Sequence, residues 1–210
     1  MTLTLTPAKN KKNYYKLYAD DEFLGCLHQK LIPAEYFLQN YSLLDPDVAS
    51  FVAFVRSLIL ETASINLLDY LAKMERTIYD CQIYLKRKDF PEKAINTVIK
   101  DAIDKKWLSD ERYTELYATE AILCGRSILD VKYKLQQKKI KPHIINTIVD
   151  KIFNPAVQTE IISELIDKLI EKYADVSPHK RYEKIATALY RKGFQYHEYE
   201  EILKQKMDSG

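Results

Sequence analysis

The feature that most constrains this chain is a stretch of sequence that returns at a fixed spacing. Residues 76–99 are RTIYDCQIYLKRKDFPEKAINTVI, and the pattern returns 50 positions later, in residues 126–149, as RSILDVKYKLQQKKIKPHIINTIV. Because no insertion separates the two copies, we predict that both form the same supersecondary unit. A weaker third copy spans residues 182–206. Stacked repeats build an extended surface rather than a closed pocket, which favours binding over catalysis.

The composition indicates a soluble globular protein that is mostly helical. The 210 residues are 47% hydrophobic and 30% charged, which is enough apolar material for a sizeable core. Only 4 Gly and 7 Pro interrupt the chain, so long helices with short connections are expected. The formal charge of +2 is too small to identify a nucleic-acid binder by itself, although residues 109–158 form the most basic segment.

The cysteines and the apolar segments predict a reducing, cytoplasmic location. Cys26, Cys81 and Cys124 are odd in number and widely spaced, so neither a disulfide framework nor a zinc site is indicated. Residues 1–12 lack the apolar core of a signal peptide. The most apolar stretch, residues 51–60, contains Arg56 and is shorter than the roughly 20 residues of a membrane span. We therefore expect no membrane segment.

The N-terminal residues predict a β-hairpin, and helices follow it. Residues 14–18 and 23–27 are rich in aromatic and aliphatic side chains and are separated by a short acidic linker, which favours two strands and a turn. Pro33 and Pro46 are each placed to open a helix. Asp45 is a suitable N-cap for the second of these, with Pro46 at the first helical position.

Inside the repeats, capping residues and apolar spacing predict three helices of roughly 10 to 15 residues per copy. Thr77 and Ser127 each precede an acid by three residues, which is typical of a helix N-cap. Three short segments are predicted to end the same helix in successive copies: 88–90, 138–140 and 192–194. Only the last contains glycine, so Asp89 and Lys139 must make the turn with a side chain. The next helix of each of the first two copies has one apolar face. It is formed by Ile95, Val98, Ile99, Ala102 and Ile103 in the first copy, and by Ile145, Ile148, Val149, Ile152 and Phe153 in the second.

These residues resemble the RecX family, bacterial regulators of the RecA recombinase. The resemblance covers about residues 60–206. It rests on Arg76-Thr77-x-x-Asp80 with Leu85 and Lys88-x-Phe90, on Trp107-Leu108-Ser109-Asp110-Glu111-Arg112-Tyr113, on Gly125-Arg126-Ser127 leading to Leu135-x-x-Lys138-x-Ile140, and on Lys192-Gly193-Phe194. The chain departs from the family pattern in having Asp89 and Lys139 before the aromatic or aliphatic residue and Lys106 where glycine is usual. It also lacks an arginine at residues 120–122.

The resemblance implies an all-α fold in which three tandem three-helix repeats form an elongated crescent, here preceded by a short N-terminal β-hairpin. We predict an extension with the hairpin and a short helix at residues 1–45, and repeats at residues 46–108, 109–155 and 156–210. Family members have no catalytic residues. They bind in the groove of the RecA filament on single-stranded DNA and can block its extension, ATP hydrolysis, strand exchange and coprotease activity.

A basic edge is the candidate contact surface. The residues that we expect there lie near the starts and ends of the central repeat helices: Arg76, Lys86, Arg87, Lys88, Arg126, Lys132, Lys134, Lys138, Lys139, Arg191 and Lys192. Such a cluster could neutralise phosphates or meet an acidic protein groove. The alternative is that these side chains only solvate a helix flank. Most of the 16 Tyr residues, Tyr133 among them, are expected to be partly buried with the hydroxyl at the rim.

No catalytic, metal or cofactor pattern emerges from the sequence. The four histidines are scattered, glycine-rich phosphate loops are lacking, and Asp110 is better explained as a helix cap than as a catalytic acid. Trp107 is expected to pack at the junction of two repeats rather than to stack on a base. We predict no enzyme activity, no metal and no cofactor.

The sequence supports three functional hypotheses. The first is a cytoplasmic RecX-like regulator that binds the RecA filament on single-stranded DNA and most simply inhibits it, and so acts in homologous recombination, DNA repair and the SOS response. The second is a helical-repeat adaptor for some other protein. The third is a stand-alone nucleic-acid-binding module, which the small net charge disfavours. We expect a monomer, with weak direct DNA binding as an open alternative.

Overall fold

The computed structural model describes residues 2–9, 11–37, 41–42 and 45–208, with the backbone alone for residues 41–42. Parts of the predicted N-terminal extension and the last two residues of the predicted third repeat lie outside them. The described strands and helices are β1 (Thr2–Pro7), β2 (Tyr14–Ala19), β3 (Glu22–His28), β4 (Tyr41–Ser42), α1 (Pro46–Leu71), α2 (Ile78–Arg87), α3 (Glu92–Asp104), α4 (Asp110–Leu123), α5 (Ile128–Gln137), α6 (Pro142–Ile152), α7 (Pro155–Lys172), α8 (Pro178–Arg191) and α9 (Tyr196–Asp208).

The chain forms two compact units, one ending at Leu108 and one starting at Ser109. The first holds the strands and α1 to α3, and the second holds α4 to α9. The fold is therefore mostly helical with a small N-terminal sheet, and the predicted strands at residues 14–18 and 23–27 are confirmed as β2 and β3. α2 and α5 are each 10 residues long and begin 50 positions apart, as the repeat predicts.

The N-terminal sheet is larger than the predicted hairpin. Its order is β3-β2-β1-β4, and all of its pairs are antiparallel. β1 went unpredicted although Leu3 and Leu5 alternate with threonine there, a period typical of a strand with one buried face. The short helix that Pro33 is predicted to open is a 3-10 helix, Ala34–Phe37.

α1 is the spine of the first unit. Asp45 caps it by accepting a hydrogen bond from the Asp47 N–H, and Pro46 is its first residue, as predicted. Its 26 residues exceed the predicted length because one helix serves two cores. Val48, Val52, Val55 and Ile59 pack under the sheet, and the rest of the same face packs with α2 and α3.

Gly25 on β3 allows the sheet to approach α1 closely. A Cβ there would lie 2.5 Å from Ile59 Cδ1, and the φ of 143° also favours glycine. By length and composition alone, α1 is the one described helix that could cross a membrane, with 33% of its most apolar window buried. Core helices meet the same test, and α1 lines both cores of its unit.

The second unit has one continuous core. α4 to α9 all contribute to it, and its largest fully buried side chains include Leu135, Ile145, Phe153, Ile166 and Leu189. α7 has 18 residues, again longer than predicted. α4 begins differently from the prediction, since Ser109 rather than Asp110 is its N-cap. The Ser109 Oγ accepts a hydrogen bond from the Arg112 N–H, and Asp110 is the buried first helical residue.

Candidate basic surface

The central helices α2 and α5 begin with the same polar geometry. The Thr77 Oγ1 accepts a hydrogen bond from the Asp80 N–H at 3.0 Å, and the Ser127 Oγ accepts one from the Asp130 N–H at 3.1 Å. Both hydroxyl residues are fully buried, so the caps satisfy backbone groups that water cannot reach. The predicted N-caps are thus confirmed, and they fix where the basic residues of each helix stand.

The ends of α2, α5 and α8 also share one geometry. In each case a residue with positive φ follows the helix: Asp89 at 64°, Lys139 at 59° and Gly193 at 89°. The next residue then donates its N–H back across the last turn, as from Phe90 to the Leu85 carbonyl at 3.3 Å. The predicted helix stops are confirmed. Each of these turns holds the basic residues of its helix end near solvent.

Three of the candidate basic residues are held in ion pairs. Asp130 accepts both the Arg126 guanidinium at 2.9 Å and the Lys134 ammonium at 3.1 Å, and Lys132 pairs with Asp150 at 2.6 Å. Burial tends to raise the pKa of Asp130, but hydrogen bonds from Lys134 and Arg126 outweigh it, so the pKa is lowered. Asp130 therefore stays ionised at neutral pH. Its charge offsets part of the basic run on α5.

Two more candidates in the first unit lie over tyrosine rings. The Arg76 guanidinium is 4.4 Å from the Tyr70 ring centroid, Tyr70 stacks on Tyr84 at 4.1 Å, and the Lys88 ammonium is 5.6 Å from the Tyr84 centroid. Arg76 Nε is buried and, within the described part of the chain, has no hydrogen-bond partner. This cation–π ladder gives Arg76 a structural role between α1 and α2.

Five candidates have no charged partner among the residues that the structure describes. They lie at the ends of the three central helices: Lys86, Arg87, Lys139, Arg191 and Lys192. Lys138 is half-buried at the end of α5. Cations in the last turn of a helix also complement its dipole, so a structural benefit accompanies any binding role.

The structure brings some of these residues together within the second unit. The turn after α8 packs on the start of α5, since a Cβ on Gly193 would lie only 2.5 Å from Ser127 Oγ. Arg191 and Lys192 therefore lie at the Arg126 end of α5. Lys138 and Lys139 are at the other end of that 10-residue helix, about 15 Å away at the usual rise per residue.

The sequence interpretation missed exposed apolar residues beside the basic ones. Leu129 is 45% exposed and Tyr133 is 61% exposed on α5, which corrects the prediction of a partly buried Tyr133. The equivalent residues on α2 are Tyr79, 36% exposed, and the half-buried Ile83. The fixed offset of 50 was the signal that could have found this pair. Trp107 is also partly exposed, with the Lys105 ammonium 4.8 Å from its ring centroid.

The sequence interpretation also missed an ion pair that joins the N-terminal sheet to the end of α2. The Lys11 ammonium pairs with the Asp89 carboxylate at 2.9 Å, which places the turn between β1 and β2 beside the end of α2. The run of Lys9, Lys11 and Lys12 was the sequence signal for a further basic segment. In the described ranges, no group of three or more His, Cys, Asp or Glu side chains could hold a metal ion.

Comparisons with known proteins agree with the family resemblance. No family model matches the sequence. The chain is 25% identical over 198 residues to "Regulatory protein RecX" of Limosilactobacillus reuteri (strain DSM 20016), a match covering 93% of this chain and 73% of that protein. It is also 25% identical over 206 residues to "Regulatory protein RecX" of Clostridium acetobutylicum, covering 94% of this chain and 92% of that protein. A crystal structure of regulatory protein RecX superposes with a TM-score of 0.66 at 24% identity, covering 97% of this chain and 99% of that one.

Proposed function

We propose, from its membership of the RecX family, that this chain regulates RecA by binding the RecA filament on single-stranded DNA and inhibits the recombinase and ATPase activities of RecA. It acts without chemistry of its own, as a cytoplasmic monomer in homologous recombination, DNA repair and the SOS response. The elongated crescent of three repeats that the family implies remains part of this proposal.

The observation that supports this proposal is the set of basic side chains without a partner at the helix ends. Lys86, Arg87 and Lys139 are exposed, and within the described residues no acid neutralises them. Their charges are therefore available to an acidic partner surface or to phosphates. Arg126, Lys132 and Lys134 are already paired with Asp130 or Asp150, and we expect them to contribute less to binding.

The test is a RecA ATPase assay on single-stranded DNA with the purified chain and two triple variants. One variant carries Lys86→Glu, Arg87→Glu and Lys139→Glu. The other carries Lys100→Glu, Lys151→Glu and Lys180→Glu, which changes the charge equally at exposed residues on α3, α6 and the start of α8. At about 0.5 kcal/mol per lost contact, the first variant needs roughly tenfold more protein for half-inhibition.

The control variant should inhibit as the unchanged chain does. If both variants lose inhibition equally, the effect is one of overall charge and the assigned residues are wrong. If the unchanged chain leaves ATP hydrolysis and filament length unaffected, RecA is not its partner.

A second candidate function is binding of a different protein through the exposed apolar residues of the central helices. Leu129 and Tyr133 on α5, with Tyr79 and Ile83 at the same positions of α2, favour it because a repeated apolar pair is typical of a protein contact. Two results together would establish this alternative. The unchanged chain does not inhibit RecA, and it binds another protein in a way that Leu129→Ser/Tyr133→Ser abolishes.

A further inference from the structure

The first unit contains a groove between its small sheet and the turn that follows α2. Its volume is about 300 Å³, at the lower end of ligand-binding pockets. Lys11, Tyr14 and His28 line it from the sheet side, and Lys88, Asp89 and Phe90 line it from the α2 side. Cys26 and Leu58 are also part of the lining. The groove is thus built from segments that are far apart in sequence, and the basic-edge prediction includes only Lys88 from it.

The ion pair between Lys11 and Asp89 holds these two segments together. Its atoms are 2.9 Å apart, and the side chains are 39% and 45% exposed. The contact places the lysine-rich turn before β2 beside the basic end of α2. Asp89 occupies a left-handed position where glycine would be the least strained choice, so its carboxylate is present despite a backbone cost.

The two segments carry a strong positive charge. Residues 8–13 and 86–90 contain Lys9, Lys11, Lys12, Lys86, Arg87 and Lys88 against a single acid, Asp89. That acid is already paired with Lys11. Five of the cations are left to face solvent, with Lys88 also lying over the Tyr84 ring. A polyanion is the ligand that such a surface attracts.

Aromatic rings stand among these cations. Tyr14 is 36% exposed, and its ring meets that of His28 edge to face, with centroids 5.2 Å apart and planes at 87°. Tyr14 and His28 are cross-strand partners at the end of the β2–β3 ladder, so the sheet fixes the orientation of both rings. Phe90 lines the opposite wall. A half-exposed ring beside cations suits stacking with a nucleic-acid base.

We propose that this groove is a binding site for single-stranded DNA, with Lys88 and the adjacent Lys12 contacting phosphates, Lys11 holding the two segments together through Asp89, and Tyr14 stacking on a base. An acidic protein segment would use the charges but would leave the exposed Tyr14 ring without a role, which is why the observations favour a nucleic acid. This inference rests on the proposed function, because it assigns the residues that meet the DNA of the filament.

The experiment measures binding to DNA alone, by fluorescence anisotropy of a labelled oligothymidylate of about 15 nucleotides titrated at several salt concentrations. Lys12→Gln/Lys88→Gln removes two phosphate contacts and should reduce the slope of log K against log salt by about 1.4. Lys100→Gln/Lys180→Gln, at exposed lysines outside the groove, should leave the slope unchanged. Both substitutions leave the Lys11–Asp89 ion pair in place, so the two segments of the groove stay together.

Two further variants separate stacking and charge. Tyr14→Ala should bind roughly tenfold more weakly, and Tyr14→Phe should retain the affinity of the unchanged chain. Asp89→Asn keeps a residue that tolerates positive φ while removing the acid, so it should bind about threefold more tightly. If DNA binds elsewhere on the protein, Asp89→Asn should not increase the affinity for the oligonucleotide.

The proposal is overturned if the unchanged chain does not bind the oligonucleotide, or if the Lys12/Lys88 variant and its control have the same salt slope. It is also overturned if polyglutamate competes equally well and Tyr14→Ala has no effect, since the groove then recognises an acidic protein. DNA binding without inhibition of RecA would refute the proposed function while supporting the groove, and inhibition without DNA binding would refute the groove alone.

Discussion

Gly193 ends α8 at a place where the structure leaves no room for a side chain. Its φ is 89°, a backbone conformation that L residues rarely adopt. A Cβ would lie 2.5 Å from Ser127 Oγ and 3.4 Å from Asp130 Cβ. Ser127 is 1% exposed and caps α5, so its hydroxyl cannot turn away without leaving the Asp130 N–H unsatisfied. We therefore expect Gly193→Ala to strain the turn and disrupt a cap on another helix.

The magnitude follows from these two costs. A left-handed alanine costs roughly 1 to 2 kcal/mol, and a lost serine N-cap costs about 1 kcal/mol. Gly193→Ala should lower the free energy of unfolding by about 2 to 3 kcal/mol in urea titrations followed by circular dichroism. Lys139→Gly is the matched control, because Lys139 has a φ of 59° in the equivalent turn. It should be neutral or stabilise by up to about 1 kcal/mol.

A double-mutant cycle with Ser127→Ala isolates the contact. Removing the hydroxyl costs about 1 kcal/mol by itself and also removes the atom nearest to the new Cβ. The two substitutions should therefore be less than additive by about 1 kcal/mol. Two results would contradict this packing of the end of α8 on the start of α5. Gly193→Ala would lower the free energy of unfolding by no more than about 1 kcal/mol, and its effect would add to that of Ser127→Ala.

Two further predictions concern capping and charge in the second unit. Ser109→Ala should lower the free energy of unfolding by about 1 kcal/mol, as measured by urea titration, since Ser109 rather than Asp110 caps α4. Asp130→Asn should cost about 1 kcal/mol at neutral pH, through lost pairing with Arg126 and Lys134 and a weaker interaction with the α5 dipole. Because the folded pKa of Asp130 is lowered, its contribution is complete above its ordinary pKa of 3.8 and is lost as the pH falls through the folded value. The difference between Asp130→Asn and the unchanged chain should therefore shrink in acid, and a constant difference would contradict the ion pairs.

Local chemistry explains why the helix boundaries could be predicted. Asp45, Thr77 and Ser127 act through hydrogen bonds to N–H groups two or three residues along the chain, so the sequence contains both partners. The end turns were predictable for the same reason. The repeat aligned Asp89 and Lys139 with Gly193, so the same turn was expected there without glycine, and the structure gives all three residues a positive φ.

The errors arose where a partner or a competing neighbour decides the outcome. β1 is a strand because β2 lies alongside it, with Leu3 opposite Ala19 and Leu5 opposite Leu17. Ser109 and Asp110 are both good capping residues, and their order along the chain does not determine which one takes the extended backbone of a cap. Burial of Asp110 as the first helical residue resolves this choice, and burial depends on tertiary packing.

In the candidate site, the sequence predicts ion pairs within one helix but not ion pairs between elements. Arg126 and Lys134 each stand four residues from Asp130, a spacing that predicts pairing on a helix, so their neutralisation was within reach of the sequence. The pairing of Lys132 with Asp150 was not, because it joins α5 to α6. Nor was that of Lys11 with Asp89, which joins the sheet to α2. Which lysines remain available is therefore a property of the fold.

This distinction bears on how the protein can bind a polymer of high negative charge. A cation that already pairs with a carboxylate must exchange one partner for another, so it gains little from a phosphate, whereas an unpaired cation gains the whole contact. The dense run on α5 is consequently a weaker electrostatic surface than its lysine count suggests, since Lys132 and Lys134 are paired. Residues 8–13 and 86–90 of the first unit hold six cations against one acid. If binding follows net rather than gross charge, salt dependence should be governed by these two segments, in which the single acid, Asp89, is paired with Lys11.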